Sequence, residues 1–233
     1  MSTTWCIPGK MDRGLDPKVE CVLFDLDGTF ADTAPDLHFA LDQVLLSRGE
    51  LPMPFEQVRP AVSHGSQAMI KVGFDLQPGD TDFETLRKEF LRIYRENITR
   101  KTKLFDGMER LLEELEQRNI PWGIVTNKPA WLTDPLMEAL GYHRRAACIV
   151  SGDTAEHPKP HPAPMLYACR MAGVDPTHCL YVGDAKRDIE AGQNAGTLTL
   201  VALFGYLAEN DKPDDWHASG TVEHPLEILQ WLD

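Results

Sequence analysis

Apolar positions along the chain fall into two alternating patterns. Solid apolar runs occur in 19–26, Trp122-Gly123-Ile124-Val125, Ala146–Val150, Cys179–Val182 and 197–203, and they predict strands buried on both faces. Between them lie stripes at helical spacing. Leu37, Ala40, Leu41, Val44 and Leu45 follow i, i+3, i+4, i+7, i+8, and Phe83, Leu86, Phe90, Ile93 and Tyr94 make a second stripe. Met108, Leu111, Leu112 and Leu115 make a third. Further helices are predicted at 131–140, ending at Gly141, at Pro162–Ala172 before Gly173, at 187–195, and at Pro225–Leu232 with Leu226, Leu229 and Trp231. From residue 104 onward strand and helix alternate, which predicts a parallel sheet with right-handed crossovers. No two-residue alternation interrupts 35–100. The expected architecture is a Rossmann-like, three-layer α/β core, 18–34 and 101–233, with an all-helical block, 35–100, inserted after the first strand. Residues 1–17, with Pro8, Gly9, Gly14 and Pro17, read as a loose leader, and Met11 is a candidate start.

The polar residues that end the strands carry the chemistry. Asp25, Thr126 and Asp184 each follow a strand run directly, and open α/β sheets build their sites outside the carboxyl ends of their strands. Asp25 and Asp27 are two apart, so on an extended backbone both face one site. Gly28 lets the chain turn where the strand stops. Two converging carboxylates repel and resist desolvation unless a cation joins them, which points to a metal. Mg²⁺ prefers oxygen ligands and keeps waters, so one or two carboxylates and a substrate phosphate complete its shell. Carboxylates, a hydroxyl and a lysine together suit phosphoryl transfer.

Four segments, Phe24-Asp25-Leu26-Asp27-Gly28-Thr29, Ile124-Val125-Thr126-Asn127, Lys159-Pro160-His161-Pro162 and Val182-Gly183-Asp184-Ala185-Lys186-Arg187-Asp188, resemble in order the motifs of the haloacid dehalogenase-like hydrolases. The resemblance spans 19–233, and 35–100 resembles that family's helical cap. It implies that Asp25 is the nucleophile, forming an aspartyl-phosphate. It implies that Asp27 protonates the leaving alcohol and later activates water, its backbone carbonyl on the metal. Thr126 and the Asn127 amide would hold phosphate oxygens, and Lys159 would neutralise Asp25 and the phosphoryl group. Asp184 would ligate Mg²⁺ and Asp188 would support its shell from the next helical turn. Relatives that break carbon–halogen bonds lack an acid at the Asp27 position, and the ion-pumping relatives carry threonine there, so both fit poorly.

Composition narrows the partners. The net charge of −13 argues against nucleic acid and anionic membranes, but local cations leave a small phosphorylated metabolite open. No run approaches the ~20 apolar residues of a membrane span, which together with the absence of an export signal reads as cytoplasmic. Five cysteines lack CxxC spacing, and Cys21, Cys148 and Cys179 read as reduced core thiols. Oligomeric state has no signature here. Ser63-His64-Gly65-Ser66 is either a substrate loop, Gly65 and Ser66 touching the ligand, or an ordinary interhelical turn. Lys186 and Arg187 read as exposed helix-start cations, and His157 and His161 as surface residues. Gly205-Tyr206 resembles a frequent family feature without an assigned role. The expected activity is a Mg²⁺-dependent phosphomonoester hydrolase similar to phosphoglycolate phosphatases. Alternatives are dephosphorylation of N-acetylmuramic acid 6-phosphate, which Ser63–Ile70 and 151–173 resemble, a sugar-phosphate mutase, or a non-catalytic phosphate-binding protein.

Overall fold

The structure, a computed structural model, describes residues 18–232. The leader assigned to 1–17 lies outside the described residues. Six parallel strands form the central sheet: β1 (Cys21–Phe24), β4 (Trp122–Val125), β5 (Cys148–Val150), β6 (Cys179–Gly183), β7 (Leu198–Ala202) and β8 (Gly220–Val222). Their spatial order is β5-β4-β1-β6-β7-β8, so the order reverses at the central pair β1 and β6. Solid apolar runs fit these strands because both faces are covered. Val22 and Phe24 join Leu180 and Val182 in one core, which also takes the stripe Met108, Leu111, Leu112 and Leu115 of α5 (Met108–Gln117). Cys21, Leu23, Cys179 and Tyr181 face the other core, with Met165, Ala168 and Cys169 of α7 (Ala163–Ala172). Positions one apart therefore fall into opposite layers, and the three-layer expectation holds. Cys21, Cys148, Cys169 and Cys179 are free and buried.

A two-residue antiparallel ribbon, β2 (Ala31–Asp32) with β3 (Lys103–Leu104), brackets the helical stretch. Between the two strands run α1 (Ala34–Ser47), α2 (Phe55–Val58), a 3-10 turn (Arg59–His64), α3 (Gly65–Phe74) and α4 (Phe83–Glu96). The predicted stripes of α1 and α4 meet each other: Leu37, Ala40, Leu41, Val44, Phe83, Leu86, Phe90 and Tyr94 are all buried. The remaining α-helices among the described residues are α6 (Ala130–Leu140) and α8 (Lys186–Ala195). No helix among the described residues is long and apolar enough to cross a membrane.

Three expectations need correction. The first strand stops at Phe24 rather than running to residue 26, so Asp25 and Asp27 lie in the turn beyond it. Pro225–Trp231 is a 3-10 helix, not an α-helix, and its fully buried residues are Pro225 and Ile228. Their spacing of three matches a three-residue turn, with Leu226, Leu229 and Trp231 only partly covered. The segment 63–66 is no loop: Ser63 and His64 close the 3-10 turn, while Gly65 and Ser66 start α3.

Candidate active site

A cavity of about 590 Å³ opens between the strand ends and the helical stretch. Asp25, Asp27, Thr126 and Asn127 line it from the sheet side, and Gly65 and Ser66 line it from α3. Gly28, Lys159, Asp184 and Asp188 are not among its lining residues; they form the layer beneath.

That layer is built on one lysine. The Lys159 side chain is fully buried, and its ammonium lies 2.9 Å from Asp25 Oδ1 and 2.7 Å from Asp188 Oδ1. It also donates to the Val125 carbonyl at 2.8 Å and meets the Tyr181 hydroxyl at 2.7 Å. The loop that carries Lys159 is clasped by Asn127, whose side chain donates to the Lys159 carbonyl and accepts from its N–H, both at 2.9 Å. The Asn127 side-chain amide is therefore committed to holding this loop. Thr126 is buried, and its hydroxyl accepts the Lys128 N–H at 3.1 Å.

Asp25, Asp184 and Asp188 are buried together, with candidate ligand atoms within 4.8 Å of one another. Burial pushes the Asp25 carboxyl up, against the pull of Lys159. Burial acts likewise on Asp188, but Lys159 and Arg187 bring it below the usual range. Asp184 rises to about 7, through burial and the nearby charges of Asp25 and Asp188. Its hydrogen-bond partners are neutral: Ser63 Oγ at 2.8 Å and the Tyr206 N–H at 2.9 Å on Oδ2, and Thr29 Oγ1 at 3.5 Å from Oδ1. Lys159 thus bridges two of the three carboxylates and leaves Asp184 without an ion pair among the described residues, which is the charge pattern a hard divalent cation fits.

The Asp27 carboxylate is turned away from this cluster. Its Oδ1 accepts from Thr33 Oγ1 at 2.6 Å and from Lys128 Nζ at 2.8 Å. Asp25 and Asp27 do share one cavity, though as turn residues and not as alternate positions of a strand. Gly28 has φ +87°, and a Cβ there would sit 2.2 Å from Asp184 Oδ2 and 2.8 Å from the Tyr206 ring. Its work is to let Asp184 and Tyr206 approach the turn.

Sequence reasoning missed three contributors. Lys128, directly after Thr126-Asn127, lines the cavity with its ammonium 4.6 Å from the centre of the Tyr94 ring of α4. Although burial works against its charge, Asp27 and Tyr94 hold its pKa well above the ordinary lysine value. Its position at a strand's carboxyl end was the available signal. Arg187 is no exposed helix-start cation: it lines the cavity and donates to the Ser63 carbonyl. Only Lys186 beside it is exposed. Tyr181, read as core, supplies the hydroxyl that joins Lys159, the Val125 carbonyl and, at 3.4 Å, Asp188.

A lysine-bridged carboxylate cluster under a cavity at the strand ends of a parallel sheet suits phosphoryl transfer, and by its relatives the chain is a phosphoric monoester hydrolase. The chain belongs to the haloacid dehalogenase-like hydrolase family, whose model matches residues 22–202. It is similar, at 40% identity over 93% of this chain and 97% of the other, to the N-acetylmuramic acid 6-phosphate phosphatase of Pseudomonas putida. It is 43% identical to the phosphoglycolate phosphatase of Xanthomonas campestris pv. campestris, over 90% of this chain and 94% of that one. A crystal structure described as a predicted phosphoglycolate phosphatase from Haemophilus somnus superposes with a TM-score of 0.82 at 25% identity, covering 92% of this chain and 98% of the other.

Proposed function

We propose that this chain is a Mg²⁺-dependent phosphatase of small carboxylate-bearing phosphomonoesters, with 35–100 acting as a cap over the site. The observation that carries the reading is the Lys159 bridge between Asp25 and Asp188 beneath a cavity that Asp25 itself lines. Asp25 is the proposed nucleophile: its carboxylate attacks phosphorus and the alcohol oxygen departs, leaving an aspartyl-phosphate. Asp27 delivers the proton to that oxygen, then takes one from the attacking water. Thr33 and Lys128 both engage its Oδ1, so Oδ2 is the oxygen that would carry that proton. Thr126 binds a phosphate oxygen, and Lys159 favours the ionised form of Asp25 in opposition to burial. Asp25, Asp184, Asp188 and the Asp27 carbonyl are the groups that would hold Mg²⁺, which supplies charge neutralisation of the phosphoryl oxygens when bound.

Lys128 supports a second anionic group on the substrate, since it is a buried cation facing the same cavity. Phosphoglycolate and N-acetylmuramic acid 6-phosphate both carry such a carboxylate. A volume of about 590 Å³ has room for the sugar phosphate as well as the two-carbon acid. The test is p-nitrophenyl phosphate hydrolysis with Mg²⁺ and with EDTA, for wild type and Asp25→Asn. Metal-dependent release that disappears in the variant, with unchanged circular dichroism, is expected. Equal release in EDTA, or an Asp25→Asn rate near wild type, refutes the reading.

A further inference from the structure

The 3-10 turn Arg59–His64 is the place where the helical stretch reaches the carboxylate cluster. Arg59 donates to the Gly205 carbonyl at 2.9 Å, with its guanidinium 4.9 Å from the centre of the Tyr206 ring. Four residues on, the Ser63 carbonyl accepts from Arg187 while its hydroxyl donates to Asp184 Oδ2 at 2.8 Å. The same Oδ2 accepts the Tyr206 N–H at 2.9 Å, so its two lone-pair directions are both engaged. Oδ1, which among the described residues has only the 3.5 Å approach of Thr29, is the oxygen left for a cation. The hydroxyl comes from the helical stretch, whereas Asp184 stands at the end of β6.

We propose that Ser63 is a positioning residue for the metal, fixing the rotation of the Asp184 carboxylate so that seating of the helical stretch and cation binding strengthen each other. The proposal rests on the reading of Asp25, Asp184 and Asp188 as the Mg²⁺ site. Groups that orient a metal-binding carboxylate are worth roughly 10- to 100-fold in affinity. Linkage is reciprocal, so the cation must in turn hold Ser63 in place. Phosphate plays no part in this coupling, which separates it from substrate-driven closure.

The experiment is calorimetric titration of the full chain with MgCl₂ alone, no phosphate present, for wild type, Ser63→Ala and Ser63→Thr. Ser63→Ala is expected to weaken Mg²⁺ about tenfold, while Ser63→Thr, which keeps the hydroxyl, stays near wild type. Hydrogen exchange of wild type with and without MgCl₂ gives a readout that needs no variant: amides of 59–64 should exchange more slowly with the metal. Equal Mg²⁺ affinity in wild type and Ser63→Ala overturns the role of Ser63 and leaves the phosphatase reading intact. Exchange at 59–64 that ignores Mg²⁺ overturns the coupling. A wild type that binds no Mg²⁺ removes the metal site and the proposal with it.

Discussion

Gly28 shows how one missing methyl group shapes the site. Its φ of +87° is strained for any side chain, and the space beside it is filled by Asp184 Oδ2 and the Tyr206 ring. Those neighbours cannot withdraw freely: Asp184 is held by Ser63 and the Tyr206 amide, and the Tyr206 hydroxyl donates to Asp32 at 2.7 Å and accepts the Ala34 N–H at 2.9 Å. Gly28→Ala should therefore cost about 2–3 kcal/mol from backbone strain and overpacking. For a chain this size that is roughly a 5–10 °C fall in melting temperature, measurable by scanning calorimetry. A drop under about 1 °C would mean the turn relaxes more easily than its neighbours suggest. Asp25, Thr126 and Asp184 were legible because a polar residue ending a solid apolar run is conspicuous. Lys128, Arg187 and Tyr181 were not, since a lysine in a loop, an arginine at a helix start and a tyrosine in a strand look ordinary until packing gives them partners.

At the level of elements, the helical stretch is tied down where it leaves and re-enters the core. Asp36, fully buried in the first turn of α1, accepts the Lys101 N–H at 2.9 Å on both oxygens. It also accepts the Thr102 N–H and hydroxyl at 2.8 Å each on Oδ2. With the β2–β3 ribbon it makes a clasp holding both chain crossings together. Asp36→Asn keeps the shape but replaces an acceptor oxygen with a donor NH₂ facing these donors. Losing charge-assisted bonds there should cost about 2–3 kcal/mol in urea unfolding. It should also raise amide exchange at 101–104 more than in β1 or β6. Uniform exchange across the chain would argue that the clasp has no local role. None of this clasp was readable beforehand. Two-residue strands have no periodicity, and Asp36 looks like a helix-start acid. The sheet itself was readable because burial on both faces writes continuous apolar runs, whereas β8, three residues with Thr221 exposed, writes none.

On the scale of the whole molecule, a chain of net charge −13 binds an anion only where its cations are concentrated. Lys159, Lys128 and Arg187 all gather at this one cavity, and they differ in availability. Lys159 lies beneath it between two carboxylates, and Arg187 donates to Ser63. Lys128 faces the cavity, paired with Asp27 within the core and seated on Tyr94 across the boundary to the helical stretch. On the proposed reading, a substrate carboxylate that drew Lys128 towards it would also release Asp27 Oδ1, joining recognition to the proposed proton transfer. Lys128→Met should therefore discriminate between substrates. With 2-phosphoglycolate and N-acetylmuramic acid 6-phosphate, losing a hydrogen bond to a charged group should raise KM roughly tenfold or more. With p-nitrophenyl phosphate, which has no carboxylate, KM should move little. Steady-state kinetics on the three compounds side by side decides the matter. Equal KM changes for all three would make Lys128 a partner of Asp27 alone, and the carboxylate would then have to be read by residues of the helical stretch.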